Sequence, residues 1–456
     1  MKHIKALLPI FAIMFCLCGY SQVWAYPSIY PTGTTIFDTS QAYNSYVLVT
    51  SWVKNTSEKG VHDPGLVELM DMNGNVVHTW NVPKNRNKRY WLLPNGHILG
   101  IVQLAVPYKP EKIEIPGEKV IELDWDGNLV WEYETLLGPH HYVKRLENGN
   151  TLILCHEKVP AEMLATVKDV DTNIHEYGKV ARKGVQLIGD TIIEVTPDKK
   201  IVWEWKSSEY LDVNRFSPND ALSDWTHGNT ASVIPENKWF DQGDKRFRPG
   251  NIIFNPRNLD MIFIIDKETK QVVWRFHSDD GKGTPWHCHE PEMIPKGLPG
   301  EGNILYFDNR IAHPGPADRE GKSWVVEIDP VKKEIVWKYS SAIGGQWPHD
   351  IWHFFSSVMS SQQKLPNGNV FVSSDCSGRI FQVKPVKKHP EGGIVVWEHI
   401  VAGTLTCRSR PYPYDWCPQL RALPKPKERA VTPPDCEKWR IRPDDERNLG
   451  LTYIEK

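Results

Sequence analysis

Apolar and polar positions alternate along most of this chain in short runs, a period of two that predicts half-buried strands rather than helices. Six of these runs return on a tryptophan: Trp80, Trp131, Trp203, Trp274, Trp337 and Trp397. The returns are spaced by roughly 50 to 70 residues, too far apart for a two-stranded repeat and suited to four strands each. Second hairpins fall between most of them, at LPNGH (93–97), LENGN (146–150), LPNGN (365–369) and, more loosely, GEGN (300–303). Two hairpins per period build a four-stranded antiparallel unit, and repeating that unit in a ring limits its exposed edges. The pattern therefore predicts an all-β, six-bladed β-propeller over residues 26–400. In such a ring the loops at one end converge on the axis, so residues remote in sequence can share a site.

The ends of the chain have a different texture. Residues 1–25 read as a secretory signal, with Lys2 and Lys5 ahead of an apolar run and Val23-Trp24-Ala25 as the cleavage site. An exported protein follows, periplasmic if the source is Gram-negative, with no stable membrane anchor. The strand from Tyr46 to Ser51 is expected to complete the last blade. Residues 401–456 are rich in Pro, Arg and Cys, and an irregular extension wrapped on the propeller is expected there.

Charge and cysteine content narrow the partners. A formal net charge of −2 leaves no polybasic surface, so nucleic acid is a poor fit. Cysteines 155, 288, 376, 407, 417 and 436 survive signal removal; in an exported chain disulfides are permitted, and Cys407 with Cys417 is the nearest local pair. Neither a CxxCH haem site nor a paired CxxC zinc site is present.

Histidines carry the chemical signal. Just ahead of successive blades' first strands stand GPHHYVKRLENGN (138–150), DWTHGN (224–229), PWHCHEPEMI (285–294) and WPHDIWHFF (347–355). These windows place His140/His141, His227, His287/His289 and His349/His353 at equivalent positions near one mouth of the channel. A lone histidine beside a strand is ordinarily a hydrogen-bonded structural residue, and one of His140 and His141 can simply cap its blade; the shared phase is what argues for a site. Arg310 follows the strand NILYFDN and Arg257 lies in FNPRNLD. Imidazoles with guanidiniums suit an oxyanion such as sulfate, phosphate or carboxylate. A metal site using His287, His289 and His227 is the competitor, but carboxylates near these windows are few and HExxH is missing, so no metal ranks first. Trp225, Trp286 and Trp352 are candidate walls for an aromatic ligand, with core packing as the alternative.

The series HHYVKRLENGNTLIL, DWTHGN, NIIFNPRNLDMIFIID, CHEPEMI…GNILYFDN and QQKLPNGNVFV, in this order, resembles the bacterial arylsulfate sulfotransferases over residues 31–400. The resemblance implies a six-bladed periplasmic propeller that moves a sulfuryl group from a phenolic sulfate ester to another phenol. It further implies a ping-pong route through a sulfated histidine, with small-molecule aryl sulfate and phenol as partners and no cofactor or nucleotide sulfate donor. By this resemblance His227 and His289 are acid/base and oxyanion partners and Arg310 a clamp on sulfuryl oxygens. The nucleophile is expected from the next blade, His353 first and His349 second; Arg257, His141, His287 and Trp225 are expected to line the substrate. Cys288 stands where the family pattern has Gln. Two rival readings keep the scaffold: a non-catalytic propeller binding aromatic anions or an exported partner, and a His-ligated metalloenzyme.

Overall fold

The computed structural model describes residues 32–52, 65–82, 89–103, 118–171, 179–180, 183–215, 223–277, 280, 284–310, 322–340, 354–389, 391–401 and 405–432. Its strands form six antiparallel blades in a ring. From the axis outward, blade two runs Arg89–Leu92, Ile98–Gln103, Glu118–Leu123, Leu129–Glu134, and blade three Pro139–Arg145, Thr151–Lys158, Ile188–Val195, Ile201–Lys206. Blade four runs Gly228–Val233, Ile252–Pro256, Met261–Ile265, Val272–His277, and blade five His289–Met293, Ile304–Asp308, Trp324–Asp329, Glu334–Tyr339. Blade six comprises Ser361–Lys364, Val370–Ser374, Arg379–Pro385 and Gly393–Ile400.

The sequence pattern has a direct physical reading. Each Asn-Gly hairpin closes with a turn whose glycine is left-handed, at Gly96, Gly149 and Gly368, where a Cβ would be strained. All six repeat tryptophans lie on the outermost of their blade's four repeat strands. Each indole N–H donates to a backbone carbonyl on an outer turn of the next blade: Trp80 to Asp124 at 3.0 Å, Trp131 to Pro197 at 3.0 Å and Trp203 to Lys267 at 2.8 Å. Trp274 donates to Pro330 at 2.7 Å, Trp337 to Gly392 at 2.9 Å, and Trp397 returns to Met72 of blade one at 2.7 Å. The repeat is thus a ring of latches. Between each pair of neighbouring blades lies its own apolar cluster, such as Leu152, Trp205, Ala231 and Phe254 between blades three and four.

The chain ends correct two expectations. Tyr46–Trp52 does not complete the last blade; it pairs with Gly65–Met70 in blade one, ahead of Val76–Val82. The strand that joins the last blade is Gly33–Phe37, added outside Gly393–Ile400. Nor is the segment after residue 400 wholly irregular. Leu405–Thr406 and Arg410–Tyr412 pair with Tyr46–Trp52 and supply the axial strand of blade one. The short polar-flanked run LTCRSRPYPY hides this strand, because Pro411 and Pro413 interrupt the alternation that marks the others. Cys407 and Cys417 are free thiols, each buried: Cys407 sits within this inserted segment and Cys417 caps a short helix, Pro418–Ala422, packed on the first two blades. Residues 1–25 and Cys436 lie outside the described residues.

Candidate active site

The windows at 138–150, 224–229 and 285–294 sit where the chain enters an axial strand, and the backbone there is unusual. His141, His227 and His287 have φ of 54°, 47° and 51°, the left-handed region that non-glycine residues seldom occupy. Glu290, at 49°, and Arg408, at 55°, share it. Arg408 precedes the axial strand of blade one as His227 precedes that of blade four. Such conformations cost on the order of 1–3 kcal/mol each and persist where surrounding structure holds them.

A chain of imidazoles crosses blades three and four. His140 Nδ1 lies 2.8 Å from His141 Nδ1, and the His141 ring stands 4.8 Å, centre to centre, from that of His227. His227 Nδ1 donates to Asp224 Oδ2 at 2.5 Å. Burial pushes the Asp224 carboxyl up, but His227, His156 and His140 outweigh it and hold it below the usual carboxylate range. With Nδ1 committed to that carboxylate, His227 Nε2 is the nitrogen left for chemistry. Burial, then Arg89 and His227, keep His141 well below the ordinary histidine value. Asp190 buttresses the chain from below: Oδ2 accepts from Thr226 Oγ1 at 2.5 Å and from the Gly228 amide at 2.6 Å.

His289, buried on blade five, is more tightly specified. Asn309 donates its amide to the Ser356 and Met359 carbonyls at 2.7 and 3.1 Å. Its Oδ1 must then accept from His289 Nδ1, 2.6 Å away. That fixes the tautomer with a lone pair on Nε2. Burial, then Arg408 and Arg257, lower the His289 pKa well below its ordinary value, against the opposing Asn309 hydrogen bond. A neutral imidazole with one defined lone pair is the result.

The axis below these rings holds charges that sequence reading did not single out. Glu290 is fully buried and accepts from Arg408 at 2.5 Å and, on its other oxygen, from Arg410. Arg410 also reaches Glu292 at 3.0 Å. Arg408 ties three more groups, its guanidinium donating to the His141 and Asn229 carbonyls at 2.9 Å each and its backbone amide donating to Asp375 Oδ2 at 2.9 Å. At the far end a cavity of ≈ 210 Å³ is lined by Lys144, Glu292, Lys364 and Arg410 among others. A cleft of ≈ 780 Å³ lies off the axis over blade three, between Leu137, Glu157, Met163 and Ser208, and no imidazole is among its lining residues. The signal for the arginines was the Pro-rich segment itself: an arginine doublet in a strand too short to read.

Other expected site residues are placed as follows. Arg310 pairs with buried Asp308 at 3.5 Å and stacks 3.6 Å over Trp324, which packs on the side of blade five toward blade four. Burial raises Asp308 to about 6, against the pull of Arg310. Arg257 donates to Asn258 Oδ1 at 2.6 Å, and its charge reaches His289. His287 is buried, with its amide on Asp260 Oδ1 at 2.8 Å. Trp225 is not a substrate wall: it is 0% exposed in the core between blades three and four, its indole N–H on the Arg215 carbonyl. His349, His353 and Trp352 lie outside the described residues.

His227, His287 and His289 do not gather as a ligand set among the described residues. The groups that do are His140, His156 and Asp190, with ligand atoms within 4.8 Å of one another. The His140 and His156 rings are stacked 3.8 Å apart at 12°. Near-parallel stacked rings cannot both hold one ion in their planes, so this is a packed pair and not a cation cage.

The arylsulfotransferase (ASST) family pattern matches residues 61–393. The chain belongs to the arylsulfotransferase family. Membership covers aryl sulfuryl transfer in general, with aryl sulfates and phenols as the small-molecule substrates. No curated protein is significantly similar to the chain. Among solved structures, it is similar to a protein of unknown function from Bacteroides caccae (12% identity, 81% of this chain and 99% of that one, TM-score 0.42). It is also similar to a periplasmic gluconolactonase from Pseudomonas aeruginosa (9% identity, 81% and 99% covered, TM-score 0.39). Likenesses this distant carry no chemistry across. No described helix of this arylsulfotransferase is long and apolar enough to cross a membrane.

Proposed function

We propose that the protein transfers a sulfuryl group from a phenolic sulfate ester to a second phenol in two displacement steps through a sulfohistidine. Sulfuryl transfer needs positioning and charge neutralisation more than covalent help, by analogy with phosphoryl transfer. The observation that carries the reading is His289: buried, neutral, and held in one tautomer beside guanidinium groups, in a chain of this family.

In the first step an imidazole lone pair attacks sulfur as the bond to the aryl oxygen breaks. His353 takes that role, with His349 as the alternative, since their segment leads onto the axial strand of blade six as His227's leads onto that of blade four. The departing phenolate leaves as the anion and takes its proton from solvent. In the second step a neutral histidine removes the proton of the acceptor phenol while its oxygen attacks sulfur; the first imidazole is freed, and the proton taken up is returned to solvent. His289 suits this base role, because its Nε2 lone pair accepts and its Nδ1 is anchored. His227, backed by the Asp224 carboxylate, suits stabilisation of sulfuryl oxygen as an imidazolium. Arg310 completes the clamp. Export through residues 1–25 belongs to the same proposal and would place the reaction in the periplasm.

The test uses purified protein with 4-nitrophenyl sulfate. Nitrophenolate release that depends on added phenol, plus an adduct of about 80 Da (one SO₃) on a histidine peptide when phenol is withheld, is the expected result. Turnover without any histidine adduct would refute the two-step route, and no turnover with any aryl sulfate would refute the reading as a whole.

A further inference from the structure

Arg89 opens the axial strand of blade two and is 4% exposed. Side chains alternate along a strand, so Arg89 shares the axial face with Trp91. That face is identified by its neighbours: the Arg410 guanidinium lies 4.0 Å over the Trp91 ring, and Tyr142 of blade three meets it edge-on at 5.9 Å. Arg89 is hydrogen-bonded to the Cys407 thiol. Its charge is felt at His141, His289 and Arg408. Among the described residues no acidic side chain pairs with it, and its Nε is buried without a hydrogen-bond partner.

The charge balance around it isolates this residue. Arg408 and Arg410 are matched by Glu290 and Glu292. Arg89 has no carboxylate of its own among the described residues, the nearby buried Asp375 being committed to the amides of Ser360 and Arg408 and the hydroxyls of Ser373 and Thr406. A buried charge without a counter-charge is costly, and the cost is relieved when a ligand supplies the opposite sign. A guanidinium fork matches two oxygens of an oxyanion.

We infer that Arg89 is an anion anchor of this site, holding two non-bridging oxygens of the donor's sulfuryl group beside His141 and His289. A single guanidinium fits the single negative charge of a sulfate monoester and leaves the second charge of a phosphate monoester unmatched, so the anchor also selects between these two substrate classes. The inference rests on the sulfuryl-transfer reading above, but it can be tested without turnover.

The probe is 4-nitrobenzenesulfonate, a monoanion of the same shape whose carbon–sulfur bond does not transfer. Titrated calorimetrically into the full-length wild-type protein it should bind, and 4-nitrophenyl phosphate should bind at least 10-fold more weakly. Arg89→Gln should weaken sulfonate binding about 100-fold and Arg89→Lys about 10-fold, because a lysine keeps the charge but loses the fork. The KM for 4-nitrophenyl sulfate should rise in step while kcat changes little, as expected for uniform binding. The melting temperature of Arg89→Gln should be equal to or above that of wild type, since it removes an unmatched buried charge; a residue held for packing would lower it. Sulfonate binding and KM unchanged in Arg89→Gln, or phosphate binding as tight as sulfonate, would overturn the anchor. If wild type binds the sulfonate through Arg89 but transfers nothing, the anchor stands and the sulfuryl-transfer reading falls.

Discussion

Replacing Glu290 by glutamine removes the one carboxylate shared by Arg408 and Arg410 at the most enclosed point of the axis. The residue is 0% exposed, with one oxygen accepting from each arginine. Glutamine keeps a single acceptor, and its amide hydrogens then face one guanidinium donor against donor. Breaking a buried ion pair from one side costs about 3–5 kcal/mol, most of it the penalty of the orphaned charge. Unfolding entropy near 2.1 cal/mol/K per residue gives a chain of this size roughly 1 kcal/mol/K, so the expected fall in Tm is about 3–5 °C. Urea unfolding and scanning calorimetry at neutral pH read both quantities. Glu292→Gln is the internal control: its side chain is 29% exposed and makes one contact with Arg410 at 3.0 Å, so a loss below about 1 kcal/mol is expected. Adding Arg410→Met to Glu290→Gln should recover part of the loss, because one orphaned charge goes with it. If Glu290→Gln costs no more than the Glu292 control, the axial charges are solvated and the reasoning fails.

Further perturbations address the histidines. Asp224→Asn keeps the shape but no longer demands a proton on His227 Nδ1; kcat/KM for 4-nitrophenyl sulfate should fall about 10²–10³-fold with Tm nearly unchanged, and activity within threefold of wild type would refute a positioning role. His399 is held at about 4 by burial, so the unfolded chain binds its proton first as pH falls below about 6.5. Stability should therefore be full above that value and drop by about 2 kcal/mol from this residue by pH 5. Burial lowers His141, His156 and His289 as well, so His399→Gln should shallow the acid slope without removing it; an unchanged slope between pH 7 and 5 would count against the assignment.

The blades were legible because their cause is local. A period of two, a left-handed glycine after asparagine and a tryptophan at each return all act within a hairpin, and the latch from Trp80 to Asp124 repeats as far as Trp397 to Met72. The shared phase of His141, His227 and His287 was legible for the same reason, since His227 and His287 stand just ahead of an axial strand and His141 at the start of one. What sequence did not disclose depends on contacts between distant segments. Nothing near Arg408 announces that it meets Glu290, and prolines conceal the strand that carries it. Trp225 looked like a candidate wall because it neighbours His227, yet it lies ahead of the left-handed residue His227 and is buried in the core between blades three and four. Glu290, one residue past His289, was not singled out, because a carboxylate's burial cannot be read without its partners.

Closure of blade one by Leu405–Thr406 and Arg410–Tyr412 also has a consequence in time. Thr50 and Cys407 meet although they lie 357 positions apart, so the inner edge of the first blade to be synthesised waits for nearly the last part of the chain. Until that segment arrives, Tyr46–Trp52 presents an open strand edge, and contacts of such long range form slowly. The same segment brings Arg408 to Glu290 and to the carbonyl of His141. Ring and reaction centre are thereby completed in one event, and a chain cut short before residue 405 has neither.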